Sequence, residues 1–221
     1  MMNERRFLAL IGSPRVPSVS ETLAEYVIDG LAKRGWETKI VRLGPALKDE
    51  GKWSELAEEY RQADVIALLT PLYVDSLPGH TTQALERLAA EARPERERKF
   101  FALVNCGFLE AEQNDTALAI CRLFARDAGL AWLGGLALGA GGAMSGQKLE
   151  KMGGMVAHVV RSLDLAIEAI DAGQPLPDEA LQLMRRRFCP TWLYVLLANF
   201  GMLKGAMDHH VLTKIHARPY A

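Results

Sequence analysis

A chain of 221 residues with 49% hydrophobic side chains is long enough to bury one sizeable core, and its formal net charge of −1 leaves no electrostatic footprint for nucleic acid. Its three cysteines, Cys106, Cys121 and Cys189, lie far apart with no Cys-x-x-Cys pair, which excludes a disulfide framework, a zinc knuckle or an iron–sulfur cluster. The opening stretch MMNERRFLALIGSPR lacks the apolar length and small-residue cleavage site of a signal peptide, and no run is long enough for a convincing membrane span, so a cytoplasmic protein with reduced thiols is expected.

In chain order, the apolar run Phe7 to Ile11 predicts a strand buried on both faces. Gly12 breaks it and opens a loop running to Ser20. Leu23, Ala24, Val27, Ile28 and Leu31 then share one face of a helix that Gly35 ends. Thr38 to Leu43 reads as a second strand, and Trp53, Leu56, Ala57 and Tyr60 mark one face of a second helix. Val65 to Leu69 is the third strand, stopped by Thr70-Pro71. A helix is expected from His80 to Arg93, with Ala84, Leu85, Leu88 and Ala92 inward. Phe100 to Asn105 is the fourth strand; Ala117, Cys121, Phe124, Ala125 and Ala128 define the next helix, closed by Gly129. Leu130 to Leu138 is the fifth strand, with Gly134 and Gly135 inside it. A long helix follows through Met152, Val156, Val159, Val160, Leu163 and Ile170, ending before Gly173. Strands alternating with helices over short connections predict an α/β domain: a doubly wound, five-stranded parallel sheet of order 2-1-3-4-5 with helices on both faces. Its ligand crevice belongs at the carboxyl ends of strands one, three and four. The domain is expected to span 1–174, with 175–221 a helical C-terminal extension that the core does not require.

The loops at those strand ends carry the chemistry. Ser13, Arg15, Ser18 and Ser20 stand between a strand and a helix N-terminus, where backbone N–H groups and the helix dipole favour an anion, hydroxyls add donors and a guanidinium grips two oxygens. A phosphate is the anion expected there. The plainer reading of Ser18 and Glu21 is a capping box, Ser-x-x-Glu, which accounts for neither Arg15 nor the hydroxyls of Ser13 and Ser20. After the third strand, Thr70-Pro71-Leu72-Tyr73-Val74-Asp75-Ser76-Leu77-Pro78-Gly79 is pinned by prolines and offers Tyr73 as a flat face. After the fourth come Asn105-Cys106-Gly107-Phe108: a polar amide, a residue permitting close backbone approach and a ring. Cys106 has nothing nearby in sequence to lower its pKa and reads as a small buried residue. The glycine-dense stretch Gly139 to Gly146, with Gly141 at its middle, matches neither Gly-x-Gly-x-x-Gly nor a P-loop. A stretch so free of side chains suits close approach by a ligand's edge, and equally a surface turn.

Gly12-Ser13-x-Arg15-x-x-Ser18-x-Ser20 resembles the phosphate loop of the NAD(P)H-dependent FMN reductases and quinone reductases of flavodoxin-like fold, where it holds the FMN phosphate. The Pro71 to Gly79 loop is similar to the Pro-x-Tyr…Pro-Gly loop of the same family, which contacts isoalloxazine and ribityl. The resemblance runs from roughly Phe7 to Ile170. It departs at Val74, where many members carry Asn, and at Thr81-Thr82, where they often have Leu-Lys. It implies a flavodoxin-like sheet, FMN as cofactor, NADPH or NADH as hydride donor, and a quinone, flavin, nitro or azo compound as the small electron acceptor. By the same resemblance Ser13, Arg15, Ser18 and Ser20 hold the phosphate, and Pro71, Leu72, Tyr73 and Val74 line the ribityl and ring. Asn105, Gly107 and Phe108 flank the other edge, and no residue is assigned to acid–base catalysis. A phosphoryl-accepting receiver domain needs carboxylates at the ends of strands one and three, where this chain has Gly12-Ser13 and Thr70-Pro71. The alternative is a binding or assembly module of the same fold without redox turnover.

Beyond the sheet, Arg185-Arg186-Arg187 precedes the nearly uncharged WLYVLLANFGML. Apolar residues circle that helix and leave no strong polar face, so burial against the domain or against a second copy is expected in preference to a membrane anchor. Asp208, His209, His210 and His216 read as a solvated tail, since adjacent histidines on a helix diverge by about 100° and make poor partners for one ion.

Overall fold

The computed structural model describes residues 5–91, 96–144, 148–215 and 217. Its strands are β1 (Arg6–Ile11), β2 (Glu37–Arg42), β3 (Val65–Pro71), β4 (Lys99–Asn105) and β5 (Ala131–Leu138), all parallel, in the order β2-β1-β3-β4-β5. The predicted doubly wound topology is therefore the one found. The central strands are almost wholly apolar and buried, whereas β2, on an edge, alternates charged and half-buried residues. That division follows from helices covering both faces of the middle of the sheet.

The helices are α1 (Val19–Ala32), the single turn α2 (Leu43–Ala46), α3 (Glu50–Gln62), α4 (Gly79–Ala89), α5 (Asp115–Asp127), α6 (Ala157–Asp171), α7 (Asp178–Met184) and α8 (Thr191–Asp208). On one face Leu8, Leu10, Ile66, Leu68, Phe100 and Ala102 meet Trp53, Leu56 and Tyr60 of α3, Leu85 and Leu88 of α4, and Cys121 and Phe124 of α5. On the other, α1 packs across the sheet beside α6. Polar links fasten α6 on that face: the Tyr26 hydroxyl of α1 donates to Asp164 at 2.8 Å, and Trp36 Nε1, in the segment before β2, to Asp171 at 2.9 Å.

Three expectations shift. The long helix begins at Ala157, because 149–156 is taken up by two 3-10 turns around Gly153, whose φ of +59° is incompatible with an α-helix. Met152 thus precedes the helix. The helix expected to reach Arg93 is described to Ala89, and Ala92 lies outside the described residues.

The third shift concerns the extension. The chain divides into two compact units, Met1–Arg186 and Arg187–Ala221, so the boundary expected at 174 falls inside the first. Gly134, at φ +139°, sits where β5 bulges against β4, and Leu176 crosses above it, donating its N–H to the Leu133 carbonyl at 2.7 Å. An added Cβ at Gly134 would come within 3.1 Å of the Leu176 side chain. Ala180 and Met184 of α7 are buried, and the Ser162 hydroxyl donates to the Ala180 carbonyl at 2.7 Å. Residues 175–184 shield an otherwise open sheet edge, so the core does use them. In the second unit, α8 buries none of its side chains, and its exposed residues include Trp192, Leu196, Phe200 and Met202.

Candidate functional site

The loop after β1 is held by close packing. The Gly12 N–H donates to the Leu69 carbonyl at 2.9 Å, and the buried Thr81 hydroxyl at the start of α4 donates to the Gly12 carbonyl at 3.1 Å. An added Cβ at Gly12 would lie 2.5 Å from Thr70 Oγ1 and 2.6 Å from Thr81 Oγ1, so only glycine fits. Ser18 is the N-cap of α1, its Oγ accepting from the Glu21 N–H at 3.2 Å. The reciprocal half of the capping box does not form as expected, because Glu21 pairs with Arg42. Ser13 Oγ accepts from the Arg15 N–H at 3.3 Å. Both hydroxyls accept in these bonds, so each keeps its proton for a ligand. The Thr22 N–H bonds the Ser18 carbonyl, leaving the N–H groups of Val19 and Ser20 among those that an α-helix cannot satisfy internally.

Asn105 joins three loops. Its amide nitrogen donates to Ser20 Oγ at 2.9 Å and to the Thr70 carbonyl at 3.1 Å, while its backbone carbonyl accepts from the Leu72 N–H at 2.8 Å. It is buried, and its side-chain donors hold the ends of β3, β4 and α1 at fixed spacing. After β3, Tyr73 and Ser76 exchange backbone N–H···O bonds of 2.8 and 3.2 Å around Val74 and Asp75, whose φ values are +48° and +59°. Such a two-residue turn requires positive φ at both central positions. Cys106 Sγ faces the Phe108 and Glu110 carbonyls at 3.5 and 3.6 Å, and Asn114 Nδ2 donates to it at 3.5 Å. Burial pushes its thiol up, outweighing the lowering by the Phe108 backbone and Asn114, which disfavours the thiolate that a nucleophile needs.

These loops enclose a cleft of about 240 Å³ at the carboxyl ends of β1, β3 and β4. Of the expected residues, Ser13, Arg15, Ser18, Ser20, Pro71, Leu72, Tyr73, Asn105 and Gly107 line it. Three do not. Val74 is 97% exposed because the turn aims it at solvent; Phe108 is exposed beyond the rim; and Gly141 lies behind the wall, its N–H donating to the Cys106 carbonyl at 2.8 Å. Pro17, Val19, Cys106 and Gly142 line the cleft instead. Their signal in the sequence is adjacency alone, since each neighbours or nearly neighbours an expected residue. Ser145 and Gly146 of the glycine-dense stretch lie outside the described residues.

Among the described lining residues Arg15, exposed, is the one cation and none is a carboxylate, so their field favours an anion. A Cβ added at Gly107 or Gly142 would meet nothing within 4 Å, which leaves open space for close approach to backbone on the side opposite Ser13. A hydroxyl-rich helix N-terminus, one guanidinium, an aromatic face at Tyr73 and open backbone fit a flat ring carrying a phosphate tail. A hollow of about 700 Å³ beside α5, lined by Arg122, Arg126 and Trp132, is larger but lacks convergent hydroxyls and a helix N-terminus.

A family model described as NADPH-dependent FMN reductase matches residues 5–129. Among the curated proteins nothing matches. Solved structures similar in fold include an NAD(P)H:quinone oxidoreductase from Methanothermobacter marburgensis, at TM-score 0.55 and 16% identity over 76% of this chain and 98% of that one. An NADH:FMN oxidoreductase in its apo form matches at TM-score 0.56 and 18% identity over 84% and 96%. RosB, solved with a bound formylriboflavin phosphate intermediate, matches at TM-score 0.59 and 15% identity over 89% and 87%. At such identities the likeness is one of fold.

Proposed function

We propose, from the premise that this chain belongs to the NADPH-dependent FMN reductase family, that the cleft at the ends of β1, β3 and β4 is where it holds its flavin. Membership makes the chain an NAD(P)H-dependent flavin oxidoreductase with FMN as cofactor. FMN, when bound, would supply the redox chemistry that links NAD(P)H to an acceptor. The chain's residues bind and orient it. Ser13, Ser18, Ser20, Arg15 and the first N–H groups of α1 take the phosphate; Pro71, Leu72 and Tyr73 take the ribityl and one ring face; the open backbone at Gly107 and Gly142 takes the polar edge. Asn105 acts as a positioning residue through Ser20 and Thr70. The acceptor is a small compound, a quinone, flavin, nitro or azo compound, which the half-open face of Tyr73 at the cleft suits.

The observation carrying this reading is the convergence of four hydroxyl or guanidinium side chains and an aromatic ring on one cleft with no carboxylate among its described lining residues. Fluorescence titration with FMN tests it. Arg15→Ala is expected to weaken FMN binding by about tenfold, the worth of a charge-assisted contact. Unchanged affinity would remove Arg15 from the site, and no FMN binding by the unaltered chain would remove the site.

We propose further that α8 joins two copies of the chain. The helix exposes apolar side chains along its length, while Ala198 and Gly201 near its middle allow two backbones to cross closely. An antiparallel pair would set Asp208 of one copy near the start of α8 in the other, close in sequence to Arg187, so the charges at the two ends complement each other. Light scattering should give a dimer that Trp192→Glu with Phe200→Glu converts to a monomer. A monomeric parent that co-sediments with vesicles would overturn this.

A further inference from the structure

The wall of the flavin cleft at Cys106 and Gly107 is braced on two sides. Asn105, just before it, ties the end of β4 to α1 and β3 through the Ser20 hydroxyl and the Thr70 carbonyl. On the other side the loop after β5 grips Cys106 by its backbone. The Cys106 N–H donates to the Leu138 carbonyl at 3.0 Å, and the Cys106 carbonyl accepts from the Gly141 N–H at 2.8 Å. The two loops run so close that an added Cβ at Gly139 would collide with the Leu109 carbonyl.

One side chain joins these pieces from behind. Asn114 ends the 3-10 turn Ala111–Asn114 and stands immediately before α5; it is fully buried and does not line the cleft. Its Nδ2 donates to the Ala111 carbonyl at 3.1 Å, to the Leu138 carbonyl at 3.2 Å and to Cys106 Sγ at 3.5 Å. The Leu138 carbonyl thus receives both the Cys106 backbone and Asn114. An asparagine at the start of a helix ordinarily caps it with its oxygen. Here the side chain makes no capping bond, and Oδ1, buried, has no partner among the described residues. Turning the amide over would set that oxygen against two carbonyls, so the partners fix its orientation. Capping does not account for this residue. Its N–H donors do, because they outweigh a buried acceptor left unmet.

We propose that Asn114 is a further positioning residue of this enzyme: without touching the ligand, it holds the Cys106–Gly107 wall at the spacing that a flat ring in the cleft requires. The inference rests on the flavin reading above, since the wall bears on the reaction only through a ring standing against it. Asn114 makes no contact with the loop after β1, which that reading gives to the phosphate, so it governs the ring and leaves the tail alone. The consequence for rate is large, because a misplacement of about 1 Å can cost about a hundredfold.

The test reads the wall and the ring separately, in Asn114→Ala and the milder Asn114→Ser. The wall is read in flavin-free protein carrying Cys189→Ser, which removes the half-buried thiol and leaves Cys121 sealed in the core. Cys106 should react with dithionitrobenzoate about tenfold faster in both variants, as the loop opens more often. The ring is read in FMN-saturated protein, where reduction by NADPH should slow about tenfold or more. Affinities for FMN and for riboflavin should fall by one common factor, because the phosphate contacts are kept. Unchanged reactivity of Cys106 would overturn the proposal, and so would a loss seen with FMN and absent with riboflavin. A lowered Tm with flavin reduction intact, or failure of both variants to fold, would overturn it too, by making Asn114 a residue of the core alone. Faster reaction of Cys106 in the variants, with no FMN binding by the unaltered chain, would sink the flavin reading while the bracing of the wall stood.

Discussion

Val74 shows how a backbone requirement can outrank a side chain's preference. It occupies the left-handed region at φ +48°, where a β-branched residue is crowded, and its side chain is 97% exposed. The turn demands that conformation because Tyr73 and Ser76 bond each other across it. Asparagine tolerates the left-handed region, which gives a physical reason for its use at this position in the resembling family. Val74→Asn therefore removes strain and no packing, and should stabilise the protein by about 1 kcal/mol, read from the urea midpoint. A lower midpoint would show that the valine makes contacts this structure lacks. Cys106 is the complementary case, a residue whose chemistry is silenced by its surroundings, since burial raises its thiol and two carbonyls and an amide crowd the sulfur.

Between elements, the unusual Thr81 has a clear role. Its hydroxyl, fully buried, bridges α4 to the carbonyl of Gly12, and Thr70 presses on the same glycine from β3. The departure from Leu-Lys at 81–82 is thus a change in how the loop after β1 is braced. Thr81→Val keeps the shape and deletes the donor, leaving the Gly12 carbonyl without that bond in a dry environment. A loss of about 1–3 kcal/mol in stability is expected, together with weaker FMN binding as the loop loosens. Chemical denaturation and flavin titration on the same variant check both, and unaltered values in each would remove Thr81 from the bracing.

At the scale of the molecule, the first unit carries its own acid sensitivity. Burial, and secondarily the Arg186 cation, hold the imidazole of His158 below its ordinary value of 6.5, against a raising contribution from the Arg186 backbone. The folded state thereby favours the neutral ring. The stabilisation is complete above the unfolded value of about 6.5 and is lost as pH falls through it towards the lowered folded value. Melting temperatures between pH 8 and 5.5 should decline in the lower half of that range, and His158→Gln should flatten the decline. An unchanged slope in the variant would assign the acid sensitivity to other groups.

Much of this protein is readable along the chain because the interactions concerned are local or periodic. Buried strands such as Phe7–Ile11 and Val65–Leu69 announce themselves as apolar runs, and glycines close helices at 35, 129 and 173 with φ of +82°, +69° and +68°. Ser18 caps α1 from within its own turn, and the hydroxyls and arginine of the first loop are close enough in sequence to suggest one ligand. Contacts between distant residues were decided by the packed sheet. Asn105 reaches Ser20 and Thr70, Thr81 reaches Gly12, Leu176 covers the bulge at Gly134, and Glu21 turns to Arg42. None of these pairings follows from spacing, because each arises where strand ends and loops meet in three dimensions.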